Sequence, residues 1–233
     1  MTGTIVNSLA IILMGLLGCL VKKALPDTLE KPVMQMIGYS VTLIGLLGFI
    51  STAIVIKEGK LTSKGEILLL VSLVLGVLIG EGLKLDDRIN AFGAYLENKA
   101  GIDGFAKGFI TASILFCVGA MAIFGPLQDG ISGDSSVLFI KSVIDGITAF
   151  ILSATLGLGV CFAGVSVFIY QGTIAALASY VAPFMSAVMM DNLCMVGYAI
   201  MITLGTNILG VTKIKTVNLI PALIVPVVYT LFL

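Results

Sequence analysis

Long apolar runs separated by short polar stretches cover almost the whole chain. A helix needs about 20 apolar residues to cross a hydrocarbon core of about 30 Å. Eight runs approach or reach this length, at residues 4–21, 33–56, 66–83, 105–124, 137–156, 160–180, 193–211 and 217–233. The pattern therefore predicts an all-α fold, a polytopic transmembrane helical bundle with about eight spans.

One stretch between the third and fourth runs has a different pattern. Residues 84–100 read KLDDRINAFGAYLENKA, where Leu85, Ile89, Phe92 and Leu96 recur at helical spacing among charged residues. This stretch is too polar to span a bilayer, so it predicts an amphipathic helix that lies along the membrane surface or caps the bundle. A soluble helical loop is the alternative.

A polar stretch at residues 125–136 separates the fourth run from the fifth. It begins with Gly125 and Pro126 and continues through Gln128 and Asp129. The sequence predicts a broken-helix region here. If the break lies at membrane depth, its carbonyl groups and the start of the next helix offer ion ligands, and if it lies in solvent it is a simple Gly/Asp turn.

The composition supports a membrane protein and adds no separate soluble domain. Hydrophobic residues make up 58% of the 233 positions, charged residues 11%, and the mean hydropathy is +1.15. Soluble domains carry about 25% charged residues. We therefore expect one transmembrane domain over residues 1–233, with the lipid bilayer as its surroundings.

Charge and residue usage exclude several classes of function. The 13 basic and 13 acidic residues balance, and no basic cluster follows a nucleic-acid backbone. Histidine is absent and the four cysteines form no CxxC pair, so neither haem nor zinc chemistry is indicated. No GxSxG, HExxH or P-loop pattern occurs. We expect no enzyme activity, no cofactor and no nucleic-acid partner, and the sequence does not determine whether a metal binds.

A weak internal repeat relates the two parts of the chain. It begins with three identities at an offset of 105, where Gly3, Ile5 and Ser8 match Gly108, Ile110 and Ser113. Farther along the chain the offset falls to 90, where Val77, Ile79 and Gly82 match Val167, Ile169 and Gly172. The first copy covers about residues 3–100 and the second about 104–182, followed by extra helices at about 193–233. Each copy would hold three spans, and an odd number inverts the second copy in the membrane, as in many secondary transporters.

Two charges lie inside the fifth apolar run. Lys141 and Asp145 are four residues apart, so they share one helix face and can pair. A buried pair that opens to an ion or a substrate group is the functional interpretation. In the alternative, Lys141 extends to the lipid headgroups and Asp145 only holds a helix contact. The high cost of an intramembrane carboxylate favours the functional interpretation.

Other polar residues extend the candidate site. Glu81 ends the third run, as a gate carboxylate or as a solvated acid at a helix end. Asn7, Gln35 and Gln171 lie inside apolar helices, where they form interhelical hydrogen bonds or line a path. Glu81 and Gln171 occupy corresponding positions of the two copies.

Several strings resemble one known family. They are FITASILFCVGAMAIFGPLQDGISGD, KSVIDG, YQG and GTIVNSLAII, and the resemblance covers essentially the whole length. The chain resembles the bacterial membrane-protein family of unknown function 554, of the YqgA/YdfK type. One departure is Pro126, where the family leads us to expect a small residue such as serine. The resemblance implies an inner-membrane protein for which transport is the usual suggestion, and it supplies no substrate.

These observations lead to one hypothesis and two alternatives. The hypothesis is a secondary transporter of a small ion or polar solute across the bacterial inner membrane, in one version coupled to a cation, and dimeric through glycine-lined helix faces. The expected substrate- or ion-binding residues are Asp145, Lys141, Asp129, Gln128, Glu81, Gln171, Asn7 and Gln35. The alternatives are a passive ion channel and a non-transporting membrane scaffold.

Overall fold

The structure, a computed structural model, is almost entirely helical. It describes residues 1–22, 27–57, 59–100, 104–118, 120–181, 183 and 186–232. The elements in chain order are α1 (Thr2–Lys22), α2 (Asp27–Ala53), β1 (Ile54–Lys57), β2 (Lys60–Ser63), α3 (Glu66–Gly82), α4 (Leu85–Ala100), α5 (Phe105–Cys117), α6 (Ala120–Ser132), α7 (Ser136–Leu156), α8 (Gly159–Ala176), α9 (Ala178–Val181), α10 (Ala187–Ile208), the 3-10 helix η1 (Thr216–Leu223) and α11 (Ile224–Phe232).

Five of the described helices are long and apolar enough to cross a membrane. They are Thr2–Val21, Met34–Ala53, Ser136–Leu156, Gly159–Ala176 and Ala187–Ile208. Two bent pairs, Glu66–Gly82 with Leu85–Ala91 at 52° and Phe105–Cys117 with Met121–Ser132 at 62°, raise the number to seven if each pair is one span. The described residues therefore hold five to seven candidate spans, against about eight predicted.

The last predicted span accounts for the difference. Residues 217–233 form η1 and α11, and the apolar helical stretch Thr216–Thr230 is shorter than the others. Pro221 lies inside η1, and proline has no N–H for a helical hydrogen bond. The sequence predicted a short eighth span here, and its apolar pattern did not indicate that the first half forms a 3-10 helix.

A short β-hairpin replaces the end of the second predicted span. That span was expected to reach Ile56, but α2 ends at Ala53 and β1 pairs antiparallel with β2 in the register Ile54↔Ser63. The run Ile-Val-Ile is β-branched, which favours a strand, and Gly59 has the φ of +73° that a tight turn requires.

The predicted helix after the third run is confirmed as α4.

The expected break at residues 125–136 is wrong in its position. Helix α6 continues through Gly125 and Pro126 to Ser132, and only residues 133–135 separate it from α7. The chain instead leaves the helix at Val118, whose φ of −91° and ψ of 146° are extended. Gly125 lets α6 approach Leu138 so closely that an added Cβ would lie 2.7 Å from Leu138 Cδ2. Close packing thus stabilises α6 where the sequence suggested a loop.

The chain divides into two compact units. The first holds Met1–Met34 and Ile89–Pro183, and the second holds Gln35–Arg88 and Phe184–Leu233. The units interleave along the chain, whereas the predicted repeats follow one another. The inverted repeat stays a prediction.

Helix α1 packs between α7 and α8 in the first unit. Gly3 contacts Leu138 and Gly18 contacts Phe150, so α1 runs parallel to α7. The hydroxyl of Ser8 donates to the carbonyl of Gly164 at 2.7 Å, while Gly15 contacts Cys161, so α1 runs antiparallel to α8.

The bent pair α5–α6 runs along the whole of α8. Phe105, which begins α5, contacts Gly159 at the start of α8, and Gly130 near the end of α6 contacts Ala175 near the end of α8. The two half-helices therefore continue in one direction past the break.

Glycines also set the packing of the second unit. Gly38 contacts Gly205 and Gly48 contacts Tyr198, which makes α2 and α10 antiparallel. On α3, Gly76 contacts Ala222 and Gly80 contacts Asn218. Gly76 and Gly80 have the GxxxG spacing, which allows another helix to approach this closely.

Two neighbouring glycines of α3 give a matched test of this packing. A Cβ on Gly80 would overlap the backbone of Asn218, whereas nothing lies within 4 Å of one on Gly82. We expect Gly80→Ala to destabilise the protein by about 1–3 kcal/mol through overpacking. Gly82→Ala should leave stability unchanged or raise it by up to about 1 kcal/mol. Thermal unfolding of both purified variants in detergent measures this, and equal melting temperatures would contradict the packing.

Candidate functional site

Four buried polar side chains from three helices meet inside the first unit. Lys141 and Asp145 come from α7, Asn7 from α1 and Gln171 from α8, and none is more than 6% exposed. Lys141 Nζ lies 2.7 Å from Asp145 Oδ2 and donates a hydrogen bond to Oδ1 at 3.0 Å. Asn7 Nδ2 donates to Asp145 Oδ2 at 3.1 Å and to Gln171 Oε1 at 3.3 Å. We call these four residues the central polar cluster.

Helix periodicity explains how the chain builds the cluster. Thr4, Asn7, Ser8 and Ile11 follow the i, i+3, i+4, i+7 pattern on α1, and all four are buried. The four-residue spacing of Lys141 and Asp145 places them on one face of α7. Lys141 is therefore a buried partner of Asp145 and does not extend to the headgroups.

The charge of Asp145 orients both amides of the cluster. An ionised carboxylate only accepts hydrogen bonds, so the amide nitrogen of Asn7 must point at Asp145. The oxygen of Gln171 then accepts from the same nitrogen. Each amide then has one polar atom that these contacts do not use. It is the oxygen in Asn7 and the nitrogen in Gln171.

Three buried polar atoms of this region have no hydrogen-bond partner among the described residues. They are Asn7 Oδ1, Gln171 Nε2 and Thr4 Oγ1. All three side chains are fully buried. A buried polar atom without a partner costs about 1–3 kcal/mol. The cluster therefore has the capacity to bind further polar groups.

The break between α5 and α6 lies near the ion pair. Cys117, the last residue of α5, is close enough to Lys141 and Asp145 for both charges to act on its thiol. The next residue, Val118, is extended, and α6 begins at Ala120. Broken helices place the partial charges of their ends, and free backbone groups, beside buried sites.

Asp129 forms a second buried site at the start of α1. Its carboxylate accepts from the backbone N–H of Gly3 at 3.1 Å and from the hydroxyl of Ser135 at 2.8 Å. The amino group of Met1 lies 3.1 Å from Asp129 Oδ1. The first N–H groups of a helix have no partner within it, and the helix dipole favours a negative charge there. In this conformation Asp129 caps α1 and does not join the central polar cluster.

Gln128 lies in α6, and its side chain contacts the turn between α6 and α7. Its amide donates to Asp134 Oδ2 at 2.6 Å. Asp134 also accepts from the hydroxyl of Ser136 at 2.6 Å and from its backbone N–H at 3.0 Å. These hydrogen bonds, with the Ser136 hydroxyl as the largest contribution and Gln128 as a smaller one, lower the pKa of Asp134.

The remaining two predicted residues lie in the second unit. Glu81 is exposed, and its carboxylate lies 3.5 Å from Lys215 Nζ, which is also 3.5 Å from Asp87. The charges of Asp87 and then Glu81 raise the pKa of Lys215. Gln35 is exposed on α2. Glu81 thus has the geometry of a solvated acid at a helix end.

The sequence interpretation missed Thr4 and Cys117. Thr4 lies one turn before Asn7 on the same face of α1, a spacing that the sequence shows. Cys117 was considered only as one of four cysteines that form no CxxC pair, because its position beside the break depends on where α5 ends. Among the described residues, no group of three or more Cys, Asp or Glu side chains is arranged to hold a metal ion.

The buried ion pair makes a specific prediction for stability. Asp145→Asn leaves Lys141 buried without its counter-charge, which costs about 3–5 kcal/mol. The double variant Lys141→Met, Asp145→Leu leaves no unpaired charge in the interior, so it should lose less stability than Asp145→Asn. A matched control is Asp191→Asn, which breaks the exposed 2.7 Å pair with Lys64 and should cost about 0–1 kcal/mol. Thermal unfolding in detergent compares them, and similar losses for Asp145→Asn and Asp191→Asn would refute the analysis.

Asp134 gives a prediction for pH, because it lies outside the apolar helices. Its folded-state pKa is lowered, so the ionised group stabilises the fold above its unfolded-state pKa of about 3.9. That contribution disappears as the pH falls through the folded-state pKa. Asp134→Asn should slightly lower the melting temperature at pH 7, by an amount that shrinks towards about pH 2. Ser136→Ala, which removes the strongest donor, should reproduce part of this change; a pH-independent difference would contradict it.

Known proteins match the chain over nearly its full length. The sequence profile of the family described as "Protein of unknown function (DUF554)" matches residues 2–231. The "Uncharacterized membrane protein YdfK" of Bacillus subtilis (strain 168) is 33% identical over 226 residues, which cover 97% of this chain and 94% of that protein. The "Uncharacterized protein YqgA" of Escherichia coli (strain K12) is 29% identical over 229 residues, which cover 95% and 93%. No solved structure matches. With its apolar helices and a relative named as a membrane protein, the chain is a membrane protein that belongs to the DUF554 family, as its sequence strings indicated.

Proposed function

We propose that this protein is a multi-pass protein of the bacterial inner membrane and a secondary transporter of a small ion or polar solute. The central polar cluster carries the proposal. It combines a buried ion pair with buried polar atoms that have no partner among the described residues, and it lies beside a helix break. Buried charges and discontinuous helices mark transport sites, and unpartnered polar atoms add groups that a solute can bind at membrane depth.

The helix directions support eight crossings. The bent pair α5–α6 runs the length of α8, so we count it as one span, and we treat α3 with the start of α4 in the same way. Three spans then lie between α1 and α7 along the chain, so α1 and α7 cross the membrane in the same direction. This agrees with their contacts, which make the two helices parallel. Because a 3-10 helix rises about 2.0 Å per residue, η1 with α11 reaches about 30 Å, enough for an eighth crossing.

The Lys141–Asp145 pair supplies the switch in this mechanism. In the conformation described, each charge neutralises the other and Asn7 holds the carboxylate. A charged group of the solute, or a coupling cation at Asp145, replaces one partner and opens the pair. The break at Val118 gives the neighbouring half-helices a hinge, and inverted repeats of the kind predicted would let the site face each side in turn.

The unpartnered atoms favour a transporter over a non-transporting scaffold. A scaffold needs its polar residues only for contacts between helices, so all of them should be satisfied.

The homodimer stays a prediction. Gly15, Gly18, Gly76 and Gly80 are in contact within the chain, so a dimer must use other surfaces. Light scattering of the detergent-purified protein would measure its mass.

Flux into proteoliposomes tests the proposed function. With an imposed proton or sodium gradient, radiolabelled sodium, acetate, methylammonium and alanine serve as probes. We expect at least one to accumulate above the level that it reaches in protein-free liposomes, where acetate and methylammonium cross as neutral acetic acid and methylamine. Asp145→Asn should lower the rate by at least about tenfold, because a hydrogen bond to a charged group contributes about 1.5–3 kcal/mol.

Each result of the flux assay has a definite meaning. Asp191→Asn is the matched control and should leave the rate unchanged. Faster equilibration than in protein-free liposomes without accumulation would indicate a passive channel, and no difference from protein-free liposomes for any probe would favour the scaffold. An unchanged rate in Asp145→Asn would remove the central polar cluster from the mechanism.

A further inference from the structure

The charge balance of the central polar cluster limits what it can bind. The cluster holds one positive and one negative side chain, with their charged atoms 2.7 Å apart. A ligand with a single charge would pair with one of them and leave the other buried alone. Breaking a buried pair in this way lowers affinity by about a hundredfold to several thousandfold. A ligand with both charges avoids this loss.

The unpartnered atoms of the cluster also favour a ligand that carries both hydrogen-bond donors and acceptors. Asn7 Oδ1 is an acceptor, and its amide is bonded to the negative Asp145. Gln171 Nε2 is a donor. An ammonium group offers N–H donors to Asp145 and to the oxygen of Asn7. A carboxylate offers acceptors to Lys141 and to the nitrogen of Gln171. One ligand that carries both groups would satisfy all four side chains.

The positions of the two side chains on α7 limit the size of such a ligand. Lys141 and Asp145 are attached about 6 Å apart along the helix axis, and their charged atoms are in contact at 2.7 Å. A single carbon atom joins the ammonium and carboxylate groups of an α-amino acid, so its head group is short enough to lie between the two side chains once they separate. The members of the cluster are at most 6% exposed, which favours the smallest side chains.

We propose that the central polar cluster binds a small zwitterionic solute of the α-amino acid class. Its carboxylate binds Lys141 and Gln171, and its ammonium group binds Asp145 and Asn7. The inference deepens the proposed function and rests on it, because it names the solute class of the same site. The ligand replaces the internal ion pair with two external ones, so no buried charge loses its partner.

Binding to the purified full-length protein tests the inference. The probes are glycine and alanine as zwitterions, acetate and propionate as anions, methylammonium as a cation, sodium chloride, and an equimolar mixture of acetate and methylammonium. We expect glycine or alanine to raise the apparent melting temperature by several degrees at about a hundred times its Kd. Titration calorimetry should show at least about a hundredfold weaker binding of either single-charge probe.

Variants show whether the named residues recognise the zwitterion. Asp145→Asn and Lys141→Gln should each weaken alanine binding at least about tenfold, since each removes a charge-assisted contact. Their matched controls, Asp191→Asn and Lys64→Gln, should bind alanine normally. Gln171→Met keeps the ion pair and removes the free donor together with the oxygen that accepts from Asn7, so it tests the carboxylate contact even if the charge variants fail to fold. Normal alanine binding in Gln171→Met would overturn that contact.

The outcomes separate this inference from the proposed function. Failure of both zwitterions to bind overturns the inference, and so does equal binding of sodium, acetate or methylammonium alone. Binding of the acetate and methylammonium mixture as tightly as alanine would replace the zwitterion with a pair of separate ions. Accumulation of sodium or acetate in proteoliposomes without alanine binding would leave the transporter proposal standing. Alanine binding without accumulation of any probe would support the zwitterion site and contradict the transporter proposal.

Discussion

The ion pair between Lys141 and Asp145 is the interaction on which the rest of the first unit depends. Neither charge is tolerated alone among apolar helices, so the two must stay together or find other partners. The lone pairs of Asp145 and the protons of Lys141 that the ion pair leaves free also need hydrogen bonds. Asn7 supplies one to Asp145 from the neighbouring helix. The position of α1 beside α7 is therefore an electrostatic requirement as well as a packing one.

Small residues make that position reachable. Gly3, Gly15 and Gly18 let α1 approach its neighbours at backbone distance, and Gly164 of α8 accepts the hydroxyl of Ser8. Without a hydrophobic driving force between helices in lipid, such close contacts supply much of the association energy. The same surfaces that hold the helices together thus bring the amides within hydrogen-bonding distance of the charges.

The sequence could predict what lies within one helix and little of what joins helices. A spacing of four residues was enough to expect contact between Lys141 and Asp145. It could not show that Asn7 and Gln171 meet there, because the side chains that α1 and α8 present to each other depend on three-dimensional packing. The Gly125-Pro126 pair indicated a loop, yet contacts of Gly125 and Gly130 with neighbouring helices stabilise α6 through it. Asp129 was grouped with the charges of α7, and its role as a helix cap followed only from the position of Gly3.

The cap at Asp129 has a mechanical consequence. Asp129 lies on α6, beyond the break at Val118, and it holds the first turn of α1 by hydrogen bonds. Asn7 lies little more than one turn farther along α1. A tilt of α6 about the break would therefore pull on α1 and draw the Asn7 amide along the face of Asp145. Hydrogen bonds thus connect the end of α6 to α1, the helix whose Asn7 donates to the carboxylate of Asp145.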